Sequence, residues 1–214
     1  MPPMLKMPRN RTATMQLTLT LVARGYVYFT QGQVDSGKRE RFIAKMQERY
    51  QVLATPQKRA LLRKKGQANV HLILYPTDEK QTTFDWWLLA TSGEGEIFDQ
   101  ETMRDARNKS SRLTWEPYEL VERQRTGQQG GGRAWTWRRT RDDMEAWRAL
   151  LIQEARHPNP TSIQGALTAL SHSPGFAGIR EQTRGLYRLV QEKTFHQLEY
   201  PQLFWVRFLR LYDE

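Results

Sequence analysis

The sequence predicts an α+β fold: an N-terminal mixed sheet with two short basic helices, followed by a mainly helical C-terminal part with a closing strand. Three observations predict it. Alternating or continuously apolar runs ("MQLTLTLV", "ANVHLILYP", "FDWWLLAT") punctuate the first 140 residues. Beyond Thr140 apolar residues recur at helical spacing behind capping residues. The chain has 214 residues and 38% hydrophobic content, enough for a sizeable core, and no apolar run approaches the roughly 18 residues of a membrane span.

Residues 1–14, "MPPMLKMPRNRTAT", carry basic residues but no apolar stretch of a secretory signal, and read as a flexible arm. In "MQLTLTLV" (15–22), Leu17, Leu19 and Leu21 alternate with Thr18 and Thr20, the pattern of a half-buried strand that runs on through Tyr26–Phe29 past an irregularity at Gly25. Ser36 caps a helix over 37–52, with Phe42, Ile43, Met46, Tyr50, Val52 and Leu53 in one stripe. Thr55-Pro56 opens a second helix, "PQKRALLRKK", with Ala60, Leu61 and Leu62 turned inward and Gly66 at its end.

"ANVHLILYP" (68–76) and "FDWWLLAT" (84–91) read as strands, followed by a short helix capped by Asp99. "YELVERQ" and "RAWTWRRT" flank the glycine-rich "RTGQQGGG" as a hairpin. Thr140 with Asp143 opens a helix carrying Met144, Trp147, Leu151 and Ala155. Thr161 with Gln164 opens another over 162–171, with Ile163, Leu167 and Leu170 inward, and a third runs over 178–196. In "FWVRFLRLY", Phe204, Val206 and Phe208 alternate against Trp205 and Arg207, which reads as the closing strand. The expected division is an arm (1–14), a basic α+β part (15–140) and a helical part (141–214) packed on it as one unit.

Charge carries the functional reading. The net charge is +10, and its excess is segregated: residues 1–66 hold 14 Lys and Arg against three acids, residues 67–140 hold 10 against 11, and residues 141–214 hold nine against nine. Such segregation predicts a side that faces a polyanion. Cysteine is absent, which excludes disulfides, thiolate nucleophiles and Cys-ligated zinc and fits a cytoplasmic protein.

"QGQVDSGKRERF" (31–42) contains Gly32 and Gly37-Lys38 at the spacing of a nucleotide-binding phosphate loop. Arg39 stands where such a loop needs a magnesium-binding hydroxyl, and the preceding strand has a polar face in Gln16, Thr18 and Thr20. The match is therefore read as a polar turn. Lys38, Arg39 and Arg41 still place cations at a helix N-terminus, against the macrodipole, where an external phosphate would be favoured.

The densest constellation is "TPQKRALLRKKGQ" (55–67). Two helices joined by a tight turn resemble the outline of a helix-turn-helix, with Gln57, Lys58, Arg59 and Arg63 facing a major groove and Lys64 and Lys65 on phosphates. A second set brackets the hairpin tip: Arg123, Arg125, Arg133, Arg138 and Arg139 as nucleic-acid contacts, with Trp135 and Trp137 on one face packed into the core. The acidic residues Glu94, Glu96, Asp99, Glu101 and Asp105 read as caps and solvated charge rather than a metal site. His71, His157, His172 and His196 lack ligand spacing, and His71, inside an apolar strand, reads as a sheet residue rather than a general base. No catalytic residue, metal or cofactor is assigned.

The phrases "KKGQANVHLILYP", "DWWLLAT" and "SPGFAGIREQ" resemble stretches of uncharacterised proteins of bacterial plasmids and integrative conjugative elements. The resemblance implies a mobile-element context and carries no site residue. The expectation is a non-enzymatic accessory protein that binds DNA or RNA through its basic N-terminal third, alone or with other protein subunits. The alternatives are a nuclease or RNA-processing enzyme, metal-dependent or not, and a protein-interaction subunit or inhibitor with a basic face.

Overall fold

In a computed structural model, which describes residues 5–124, 132–156, 159–194, 197–203 and 210–212, the chain has the α+β class that the sequence predicts. It divides into two units, Met1–Leu113 with Leu209–Glu214, and Thr114–Phe208. The hairpin thus groups with the helices that follow it, whereas the change of texture at Thr140 placed it with the first sheet.

The Leu/Thr alternation folds as a helix, α1 (Arg11–Ala23), not a strand. The side chain of Asn10 caps it by accepting from the Ala13 N–H (2.8 Å). The helix buries Thr14 and Thr18 because their hydroxyls donate to the carbonyls one turn earlier, Asn10 (3.1 Å) and Thr14 (2.9 Å). Gly25, at φ +95°, ends it: its N–H donates to the Val22 carbonyl, and that of Tyr26 to Leu21. Nor do the described residues of the arm hang free. Leu5 and Met7 pack on the core, and the Arg9 N–H donates to the Leu211 carbonyl (2.9 Å).

β1 (Tyr28–Asp35) follows, then a 3-10 turn (Ser36–Lys38), α2 (Arg39–Tyr50), α3 (Pro56–Lys64), β2 (Val70–Pro76), β3 (Thr83–Ala90), the short α4 (Ile97–Gln100) and β4 (Arg104–Asp105). The strands form one sheet in the order β2-β3-β1-β4, and every ladder in it is antiparallel, where a mixed sheet was expected. Asp99 lies inside α4, whose N-cap position is Glu96. α2 ends earlier than predicted because Gln51 turns left-handed (φ 52°).

Side-chain alternation assigns the faces. Val70, Leu72 and Leu74 of β2 and Phe84, Leu88 and Ala90 of β3 point to one side, where Met46 and Tyr50 of α2 complete a buried cluster. His71 and Ile73, Trp87 and Leu89, and Phe29 point to the other. There α1 lies against β2, and Tyr26 meets His71 edge-on (4.9 Å). The supposed loop glycine, Gly32, is inside β1 opposite Trp86 of β3. A Cβ there would stand 2.8 Å from Trp86 Cζ2, so glycine makes room for the indole.

In the second unit β5 (Thr114–Trp115), β6 (Tyr118–Gln124) and β7 (Arg133–Arg139) form an antiparallel sheet, followed by α5 (Arg141–Ala155), α6 (Pro160–Ser171) and α7 (Ala177–Lys193). Thr140 caps α5 by accepting from the Asp143 N–H (3.4 Å). The cap of α6 is Asn159, accepting from Thr161 N–H (2.9 Å), rather than Thr161. Gln164 instead exchanges two hydrogen bonds with the backbone of Glu199. Leu151, Ile163, Leu167, Leu170, Leu186 and Val190 close the helical core. α7 docks on β7 at Gly178, whose absent Cβ would meet the Trp137 carbonyl oxygen at 2.6 Å. Trp137 is buried and Trp135 half-buried, in keeping with the core reading of that pair. The expected closing strand, Phe204–Phe208, lies outside the described residues.

Candidate nucleic-acid interface

The burial of one side of α2 dictates what its other side presents. Phe42, Ile43, Met46 and Tyr50 face the sheet, which leaves Arg41, Lys45 and Arg49, four residues apart, in one exposed row about 12 Å long. With Ala44, Glu48 and Glu96 this row lines an open groove of about 610 Å³. Like charges at this spacing destabilise a helix by about 0.2–0.5 kcal/mol per pair. Lys45 and Arg49 were not among the candidates from the sequence, although the helical spacing from Arg41, opposite the Phe42–Met46–Tyr50 stripe, marks them. At the inner edge, Tyr50 donates to Glu101 (2.8 Å), and burial first, then that carboxylate, push its pKa up to about 12.

Upstream of this row the cations are partly engaged. Lys38 pairs with Asp35 (3.6 Å), both exposed. Arg39 pairs with Glu40 (2.8 Å) and lies 5.1 Å over the ring of buried Phe84. The polar turn is therefore not a phosphate loop: its first glycine is in a strand, and Lys38 has a local carboxylate.

α3 starts as the sequence predicts, with Thr55 Oγ1 accepting from the Lys58 N–H (3.3 Å) and Pro56 in the first turn. Its attachment was not legible. The helix buries none of its residues, and Ala60 and Leu61, expected inward, are exposed, Leu61 by 52%. Arg59 takes the place of an apolar anchor. Its guanidinium donates to the carbonyls of Val52 (2.7 Å), Ala54 (3.1 Å) and Val70 (2.7 Å), and Asn69 Nδ2 donates back to the Arg59 carbonyl (3.1 Å). Burial draws the Arg59 pKa below its ordinary value. Arg59 is therefore a pin that holds α3 to β2, not a groove contact. Gln57, Lys58, Arg63, Lys64 and Lys65 remain exposed around it. None of these cations is closed in an ion pair among the described residues, and the first turn of α3 holds no acid to balance Lys58.

The hairpin differs. Arg123 pairs with Glu181, Arg133 with Glu122 (3.0 Å) and Arg138 with Glu119 (2.7 Å). Arg139 is 5% exposed, bonded to Asp143 (2.7 Å) and Ser173 Oγ (2.6 Å), and lies over the rings of Tyr118 and Trp147. As an accessible contact Arg139 is ruled out by burial, and the other three spend their charge on carboxylates of their own unit. Arg125 lies outside the described residues.

The acidic residues do not converge either. Glu101 accepts from Tyr50, and Asp105 binds Arg107, whose hydrogen bonds hold the carboxyl below its usual range. Among the described residues no group of three or more His, Asp and Glu is placed to hold a metal ion. His71 stays neutral, because burial, with Arg59 and Arg24 nearby, lowers its pKa to about 3. Among the same residues no helix is long and apolar enough to cross a membrane. In comparisons with family models, curated proteins and solved structures, the chain has no significant match.

Proposed function

We propose that the protein is a non-enzymatic nucleic-acid-binding accessory protein, serving a bacterial mobile element or nucleoprotein complex in the cytoplasm and gripping phosphates with α2 and α3. One observation carries the reading. Arg41, Lys45 and Arg49 of α2, Lys58, Arg63 and Lys64 of α3 and Lys65 just past its end are all exposed in one unit, with no ion pair among the described residues, whereas Arg123, Arg133, Arg138 and Arg139 of the hairpin are each paired with a carboxylate of their own unit. Cations that a fold leaves out of ion pairs cost it self-repulsion, which a phosphate backbone relieves.

The test is a titration of a labelled duplex by fluorescence anisotropy at rising salt. Engagement of five to seven phosphates makes affinity fall about 1000-fold between 50 and 200 mM salt. A flat response, or no binding at 50 mM, removes the reading.

A further inference from the structure

We infer that α3 is a major-groove reading helix whose outward face, Gln57, Ala60, Leu61 and Lys64, prefers A·T base pairs and touches thymine methyl groups. The inference rests on the nucleic-acid reading above and deepens it. Helical geometry sets the face: at 100° per residue, the direction opposite Arg59 and half-buried Leu62 is occupied by Gln57, Leu61 and Lys64, with Ala60 beside them. Nine residues make a rod about 13 Å long, and the major groove, about 12 Å wide, admits one α-helix. α3 has the exposure such an entry needs, since it buries no residue and is held from behind by the Arg59 guanidinium.

The chemistry of that face selects the base. An exposed leucine serves no phosphate, so plain electrostatic binding leaves Leu61, 52% exposed, without a role. In the major groove only thymine offers an apolar group, its C5 methyl, while a glutamine amide matches the N7 acceptor and N6 donor of adenine. Gln57 and Leu61 are one helical turn apart, side by side, as adjacent base steps require. The flanking Lys58, and Lys64 on the face itself, supply the phosphate or guanine contacts that set the register.

The test uses the full chain and three duplexes of equal length at one salt concentration: alternating d(A-T), alternating d(A-U), which lacks only the methyl, and alternating d(G-C). The expected result is tighter binding to d(A-T) than to d(A-U) by about fourfold for each methyl contacted, with d(G-C) weakest. Leu61→Ala shrinks the difference between d(A-T) and d(A-U) by about fourfold, and its exposed position keeps the fold intact by circular dichroism. Equal affinity for d(A-T) and d(A-U), with steep salt dependence preserved, overturns the inference and leaves the electrostatic reading standing. A methyl effect undiminished in Leu61→Ala also overturns it. Absence of binding to all three duplexes at low salt overturns both.

Discussion

Replacing Arg59 by lysine separates anchoring from contact, because it keeps the charge and removes the fork. The guanidinium reaches three backbone carbonyls at 2.7, 3.1 and 2.7 Å, and an ammonium on a shorter reach holds one of them at best. Hydrogen bonds from charged donors are worth about 1.5–3 kcal/mol each. Losing two therefore costs about 3–6 kcal/mol, softened where water reaches the released carbonyls. With a urea slope of about 2 kcal/mol per M, the unfolding midpoint of the N-terminal unit drops by about 1.5–3 M. The assay is urea denaturation of wild type and Arg59→Lys, followed by duplex titration under conditions where the variant is folded. The folded variant is expected to bind within about threefold of wild type. A midpoint unchanged to within 0.5 M, together with lost binding, would refute the pin and return Arg59 to the contact surface.

Other consequences follow from the same geometry. His71, with a folded-state pKa near 3 against an ordinary 6.5, is neutral in the fold and protonates first in the unfolded chain. Its contribution to stability is therefore complete above pH 6.5 and lost as pH falls, about 2 kcal/mol by pH 5. Denaturation midpoints measured from pH 7.5 to 5 read this loss, and His71→Gln flattens the profile. Gly32→Ala places a methyl 2.8 Å from the Trp86 ring and costs about 1–3 kcal/mol in thermal unfolding, with a shift in tryptophan emission. Gly178→Ala meets the unyielding Trp137 carbonyl at 2.6 Å, so its cost stands at the top of that range or above. Exchange of the β7 amides, measured by hydrogen exchange, is expected to accelerate in that variant.

What was legible in the sequence follows physical locality. β2 and β3 announce themselves because their apolar runs are strand-length and bounded by turn residues, and β6 and β7 because they flank a glycine-rich loop. Thr55-Pro56 and Thr140 mark their helices because a cap is a local hydrogen bond. α1 did not, since Leu/Thr alternation fits a strand equally well until threonine hydroxyls are allowed to satisfy themselves on the preceding turn. Asn10 was the available signal. β1 reads as a turn because Gln31, Gly32 and Gln33 are polar or small, yet Gln33 Nε2 donates to Asp85 (2.9 Å) across the sheet and Gly32 accommodates Trp86.

The site follows the same rule. The cations of α3 are visible from their density in the sequence, whereas Lys45 and Arg49 of α2 emerge only once the buried stripe of that helix is placed. Which arginines stay available is decided by tertiary partners: Arg138 stands directly across the ladder from Glu119, and Arg123 meets Glu181 from 58 residues away. Arg59 turned inward because α3 has no buried apolar side, a property that depends on where β2 begins rather than on the helix's own sequence.

If the protein holds nucleic acid as proposed, the cations of α3, and not those of the hairpin, do so. One measurement addresses it most directly: duplex affinity at 100 mM salt for Lys58→Glu/Arg63→Glu/Lys64→Glu beside Arg133→Gln/Arg138→Gln, each checked for fold by circular dichroism. The first set is expected to weaken binding by about 100-fold or more with the fold intact, and the second to change it by no more than a few-fold. Full affinity in the α3 set with binding lost in the hairpin set would contradict it.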